Sequence, residues 1–277
     1  MQENIIISAV ILWVGNTTKE MNALLKENIA AFGPDMPILC FLHLPRTAGS
    51  TLNRLLKYTF GDRAIFHADL LAAYGGEAGL SATLAKDKAL YQGMMILTGH
   101  YGVAHPLVRQ APRPLGIAAV LRQPVERIVS LYDYIRACPD HPEHAALSRL
   151  TLHQAMDAVP NFAAHCRNAQ LQTLFGATDQ RGIMAAFNRY PYLLGRMDAL
   201  EAFAQRLLAS FGLTLGGALP RFNERLCLPG VAPAQQQPDY ASAVARLVQE
   251  NRAELAFFAQ LPAVFSSRPV KISAGAA

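Results

Sequence analysis

The stretch PILCFLHLPRTAGSTLNRLL, Pro37–Leu56, decides how this chain is read. Ile38–Leu42 is a short continuous apolar run behind the breaker GPDMP, Gly33–Pro37, and such a run fits a strand buried on both faces of a parallel sheet. From Gly49 to Phe60, Leu52, Leu55, Leu56 and Tyr58 or Thr59 recur at helical spacing. Between strand and helix lies a polar loop with one glycine. In that layout the amides of Thr47, Ala48, Gly49, Ser50 and Thr51 can turn inward around an anion. The helix start adds its partial positive charge. Gly49 admits close backbone approach, Ser50 and Thr51 add hydroxyls, and Arg46 adds a fixed cationic fork. An ordinary strand-to-helix turn capped by a hydroxyl fits the same residues.

The loop is not the triphosphate cradle of ATPases. That motif ends in Gly-Lys-Ser/Thr, and here Ser50 stands where the lysine would be. The strand expected at Leu115–Leu121 ends in Arg122, where Mg²⁺ support calls for an acidic residue. One phosphate or sulfate group suits such a loop better than a nucleoside triphosphate with its metal.

Outward from this stretch, short apolar runs alternate with helical periodicity. Strands are expected at Arg63–Ala68, Met94–Leu97, Leu115–Leu121 and Tyr192–Leu194. Helices are expected at Thr17–Ala31, Leu80–Leu90, Val125–Arg136 and Ala199–Phe211, and a long closing helix at Ala241–Gln260. The segment after Cys138 reads as helical to about Phe187. Leu213–Gln237 is rich in Gly and Pro and irregular. The expected architecture is a single α/β domain over residues 1–277: three layers, with a mainly parallel sheet flanked by helices. Residues 36–136 form its cofactor-binding core, 138–240 a mostly helical acceptor side, and 241–262 the closing helix. In such sheets ligands sit beyond the carboxyl ends of the strands. Three strand ends run there into unusual polar sequence: HLPRTAGST, TGHYG and RQPVERIVS.

Composition bounds the function. With 52% apolar and 16% charged residues, the 277-residue chain has ample material for a core. The formal charge of +5 is spread without a Lys/Arg run, which argues against a nucleic-acid-binding arm; it suits a small polyanionic ligand, but charge alone reads first as ordinary solubility charge. Cys40, Cys138, Cys166 and Cys227 show no paired spacing. A zinc site and a disulfide framework are therefore not signalled, and a reducing, cytoplasmic setting is the simplest expectation. The apolar segment Ile5–Gly15 is shorter than the roughly 20 residues a membrane span needs. It lacks the flanks of a secretory signal and is expected to cover the sheet.

At the second polar strand end, Arg122 and Ser130 lie two helical turns apart and can form a two-point clamp on an anion. Equally, Arg122 can pair with Glu126 while Ser130 packs. His100, flanked by Gly99 and Gly102 at a strand end, is a candidate base because imidazole titrates in the useful range. His67, near Asp69, is a weaker alternative. His43 is expected to be buried and structural, and His141, His144, His153 and His165 to be loop or helix-surface residues.

HLPRTAGSTL followed by LRQPVERIVSLY resembles the two cofactor motifs of sulfotransferases that use 3′-phosphoadenosine 5′-phosphosulfate (PAPS). It is most similar to the carbohydrate branch of the heparan-sulfate 2-O type, whose loop commonly reads His-Ile-Pro-Lys-Thr-Ala-Gly-Thr-Thr. TGHY, Thr98–Tyr101, resembles a Gly-His element of that branch, and NAQLQTLFG, Asn168–Gly176, a later family segment. The resemblance covers residues 38–176 in the family's order. It implies a P-loop-like sulfotransferase fold and transfer of a sulfuryl group to a hydroxyl of a carbohydrate or other small acceptor, without metal. It implies that Arg46, Thr47, Ala48, Gly49, Ser50 and Thr51 hold the 5′-phosphosulfate, that Arg122 and Ser130 hold the 3′-phosphate, and that His100 is the base. One position departs: Arg46, which the resemblance makes catalytic, stands where the family has the lysine that helps stabilise charge on the leaving phosphate oxygen. Two other readings therefore stay open, a nucleotide-binding protein without transfer activity and a metal-dependent small-molecule kinase or NTPase.

Overall fold

The computed structural model describes residues 37–219 and 231–267. The expectations for Ile5–Gly15, Thr17–Ala31 and Cys227 lie outside these residues. The described chain is α/β, with one six-stranded sheet in the order β2-β3-β1-β4-β5-β6. The strands are β1 Ile38–Leu42, β2 Ala64–Phe66, β3 Ile96–Gly99, β4 Leu115–Leu121, β5 Tyr192–Arg196 and β6 Val264–Ser266. All pairings are parallel except that of β5 with β6.

The two apolar runs that read as central strands are central. Every residue of β1 and β4 is buried, and β1 lies between β3 and β4. Alternation sends their side chains to opposite faces. Ile38, Cys40, Leu42, Ile117, Ala119 and Leu121 meet one apolar layer, which includes Leu171 and Leu174 of the helix Ala169–Phe175. Leu39, Phe41, Ala118 and Val120 meet the other, formed by the helices Gly49–Phe60 and Leu200–Ala209. A third cluster packs the helix Pro124–Ala137 against Leu152–Ala158, Pro160–His165 and Tyr240–Glu250. Cys40, Cys138 and Cys166 are free thiols, and burial pushes that of Cys40 up to about 12, the behaviour of a small hydrophobe.

Three expectations are corrected. The strand at Arg63–Ala68 is only Ala64–Phe66, because His67 opens a helix, His67–Tyr74. Gly75 and Gly76, both at positive φ, then turn the chain into a second helix, Glu77–Lys86, which stops short of Leu90. The closing helix is two helices, Tyr240–Glu250 and Arg252–Gln260. The break falls at Asn251, whose buried side chain donates to the carbonyls of Leu247 and Cys166 and so competes with helical bonding. The chain then adds the antiparallel edge β6, which the sequence reading did not foresee. Among the described residues no helix is long and apolar enough to cross a membrane.

Candidate functional site

The strand order makes three polar strand ends neighbours. β3, β1 and β4 lie side by side and parallel, so His100, the loop after Leu42 and Arg122 emerge on one edge of the sheet. The His43 amide extends the β1–β3 ladder by donating to the Gly99 carbonyl at 2.9 Å. Beyond this edge lies a cavity of about 680 Å³, whose wall includes His43, Arg46, Ser50, His100, Tyr134 and Gln170.

The first loop carries an unusual backbone. Arg46 and Ala48 both have positive φ, 67° and 66°, although neither is glycine. A non-glycine residue held there costs about 1–3 kcal/mol and persists only where the surroundings enforce it. The alternation it produces is the concave arrangement of amides that binds anions. The Thr47 hydroxyl fixes the turn by donating to the Leu44 carbonyl at 2.9 Å. Ala48 is the N-cap of the helix Gly49–Phe60, and no side chain caps that end. A side-chain cap at this position is ordinarily worth about 1 kcal/mol, so the uncapped end favours an external acceptor. One detail narrows the expected set of amides. The Thr51 amide donates to the Ala48 carbonyl at 3.1 Å, inside the turn.

Gly49 also admits a close approach within the protein itself. Its φ is not positive; what matters is the ring of His43. A Cβ at residue 49 would lie 1.8 Å from His43 Cδ2 and 2.2 Å from its Nε2.

The two anion motifs meet through Arg46. Its Nε donates to the Ser130 hydroxyl at 3.2 Å across 84 residues of chain, and its guanidinium lies 4.6 Å from the ring centre of Tyr134. Burial lowers the pKa of Arg46; Tyr134 opposes this, and the nearby charge of Arg122 adds to it. Two guanidinium groups that repel each other beside a hydroxyl form a place where an anion relieves the strain. Arg122 also pairs with Glu126 at 3.4 Å, as the alternative reading had it. The Glu126 side chain is largely exposed, and exposed i,i+4 pairs are worth about 0.3–0.5 kcal/mol, so this pair holds Arg122 without committing it.

The backbone of Arg122 is fixed by a residue that only the weak segment Asn168–Gly176 pointed to. Gln170, fully buried, accepts from the Arg122 amide at 3.0 Å and donates to its carbonyl at 2.9 Å. Buried Glu254 in turn accepts from the Gln170 side chain at 2.6 Å and from its amide at 2.8 Å. Arg127, five residues further on, is buried despite its charge, and donates to the His165 carbonyl at 2.7 Å. Burial lowers its pKa, and the Glu254 charge opposes that effect.

The histidines regroup most. His100 is exposed at the cavity, with one ring face stacked on His43 at 4.2 Å between centroids. Desolvation on the stacked side lowers its pKa, and a hydrogen bond to the His43 backbone partly restores it. It is therefore a neutral imidazole at pH 7 with an edge open to a ligand. His43 is half-buried in the cavity wall rather than enclosed in the core, and burial followed by the neighbouring His100 lowers its pKa to about 3. His141 and His165 also line the cavity, contrary to their expected surface placement, and burial takes His165 to about 4. His67 is not paired with Asp69. Its Nε2 faces Glu77 at 3.1 Å, and Glu77 also meets His105 Nε2 at 2.9 Å.

His67, Glu77 and His105 are residue types that hold divalent metals, and their ligand atoms lie within 4.8 Å of one another. The hydrogen bonding opposes that use. His105 Nδ1 accepts from the Leu107 amide, so a neutral ring carries its proton on Nε2 and donates it to Glu77. A metal-binding imidazole has the opposite arrangement, with its other nitrogen donating.

The chain matches no family model, no curated protein and no solved structure.

Proposed function

We propose that this protein is a PAPS-dependent sulfotransferase with a P-loop-like sulfotransferase fold, moving a sulfuryl group to a hydroxyl of a carbohydrate or other small acceptor. The observation that carries this reading is the hydrogen bond from Arg46 to Ser130, with Arg122 beside it. It unites the first anion loop with the second motif, the combination that distinguishes a 3′-phosphorylated nucleotide from ATP. The strained, uncapped loop and the open cavity with its neutral His100 support the same reading.

In this scheme the amides of Thr47, Ala48, Gly49 and Ser50, with the Ser50 and Thr51 hydroxyls, hold the phosphosulfate end. Arg122 and Ser130 hold the 3′-phosphate. Arg46 stabilises the charge that develops on the oxygen bridging phosphate and sulfate. His100 takes the proton of the acceptor hydroxyl as that oxygen bonds to sulfur and the bond from sulfur to the phosphate oxygen breaks. The bisphosphate leaves with the electron pair. The residues act by positioning and by fixed charge, and no residue changes oxidation state.

Calorimetry with 3′-phosphoadenosine 5′-phosphate against ATP plus Mg²⁺ tests the reading. The bisphosphate is expected to bind and ATP to bind far more weakly; preference for ATP would overturn it in favour of a kinase. A labelled-sulfate assay over a panel of hydroxyl acceptors then separates a transferase from a nucleotide-binding protein without transfer.

A further inference from the structure

His43 was read as a core residue, and the proposed mechanism does not use it. Its surroundings fix more than its position. The Thr98 side chain is fully buried, and its hydroxyl proton reaches the Asn53 Oδ1 at 2.6 Å. A buried hydroxyl proton left without an acceptor costs about 1–3 kcal/mol, so this bond sets which way the Asn53 amide points. With Oδ1 turned to Thr98, the amide nitrogen faces His43 Nδ1 at 3.3 Å. An amide nitrogen only donates. Nδ1 must then accept, and the proton of a neutral ring must reside on Nε2.

The Nε2 edge of that ring lies against Gly49, the first residue of the helix whose amino end forms the anion loop. His43 shares the cavity wall with Arg46 and Ser50. We propose that Asn53 holds His43 as its Nε2–H tautomer, and that this N–H is a neutral hydrogen-bond donor to an anionic oxygen bound at the start of the helix Gly49–Phe60. The sulfuryl end of the donor substrate is that oxygen's source if the function proposed above holds, and the inference deepens that reading.

Neutrality is the useful property. His100 stacks on this ring at 4.2 Å. A cation at His43 would disfavour proton uptake by His100, whereas a neutral donor strengthens the anion site and leaves the neighbouring base unopposed. Burial and the neighbouring His100 both hold His43 in the uncharged form. The groups facing the ring are Asn53 from the helix, His100 from the end of β3 and Gly49 beneath it. None is a carboxylate that would draw a proton onto Nδ1.

The test reads the tautomer directly. In the ¹⁵N-histidine-labelled full-length protein at pH 7, long-range ¹H–¹⁵N correlations, assigned by comparison with His43→Gln, are expected to show His43 protonated on Nε2 only. Protonation on Nδ1, or on both nitrogens, would overturn the proposal. Titration with inorganic sulfate and with 3′-phosphoadenosine 5′-phosphate is expected to move the Nε2 resonance. If neither anion moves it, the donor role is overturned. If sulfate moves it and the bisphosphate does not bind, the inference stands and the sulfotransferase reading falls. His43→Phe keeps an aromatic ring but no donor and is expected to weaken anion binding roughly tenfold, whereas His43→Gln, whose amide nitrogen replaces Nε2, retains most of it. Equal losses in the two variants would show a packing role only.

Discussion

At the scale of single residues, the site depends on pairs that the fold presses together. Gly49 and His43 are one such pair. Gly49→Ala would drive a methyl group to 1.8 Å from the imidazole, a contact that one of them must vacate. Overpacking of this kind costs about 1–3 kcal/mol, and a melting-temperature drop of several degrees is expected. His43→Ala in the same chain should restore much of that loss, so the double variant tests the contact itself; simple additivity would refute it. Arg122 and Arg46 form the second pair. Arg122→Ala should weaken the bisphosphate by about tenfold or more, because a charge-assisted bond to phosphate is worth roughly 1.5–3 kcal/mol. Calorimetry at fixed salt measures it, and unchanged affinity would remove Arg122 from the site. For His100 the base role predicts a rate loss on His100→Ala. Its lowered pKa places the acid limb of the wild-type pH–rate profile below the usual 6.5 of a free histidine, because the ring stays unprotonated until the pH falls further.

At the scale of elements, legibility followed burial. β1 and β4 were readable because both faces of each are covered, which leaves continuous apolar runs with no competing interpretation. The helix Pro124–Ala137 was readable from the apolar spacing expected over Val125–Arg136, and Pro124 fits its first turn. The break at Asn251 was not, because apolar spacing continues through it and the cause is a set of polar contacts to Cys166 and Asn168 more than 80 residues earlier. The same holds for the candidate site. Its anion loop, Arg122, Ser130 and His100 were visible as polar sequence at strand ends. The stack of His43 on His100 and the grip of Gln170 on Arg122 were not, since they exist only once β1, β3 and the helix Ala169–Phe175 are adjacent. This grip makes a prediction at the same scale. Gln170→Ala leaves the Arg122 amide and carbonyl without their partner and the buried Glu254 without the donor that side chain supplies, so a loss of about 2–4 kcal/mol is expected in denaturant unfolding.

At the scale of the whole molecule, burial of neutral imidazoles ties stability to pH. His43 is depressed to about 3 and His165 to about 4, with His67 and His100 lowered as well. The unfolded chain takes up protons near pH 6.5, and the folded chain resists until lower pH. The stabilising effect is complete above 6.5 and is lost as the pH falls from there towards 4 for His165 and towards 3 for His43. His43 and His165 each contribute a slope of up to about 1.4 kcal/mol per pH unit in that window, and the exposed His100 contributes less because solvent screens it. Thermal melts from pH 7 to pH 4.5 should show a steady fall, and His43→Gln should flatten it; an unchanged slope would show that His43 is not held neutral.

The recognisable motifs stop at Gly176, yet the frame that aims them does not. Arg122 is held by Gln170, and Gln170 is held by Glu254, on the helix Arg252–Gln260. A fragment ending after Gly176 would keep every signature residue and lose the anchor that gives one of them its direction. If Arg122 binds the ligand as proposed, the distal helix aims it without touching the ligand, and loss of the buried Glu254 carboxylate should alter ligand selectivity as well as stability.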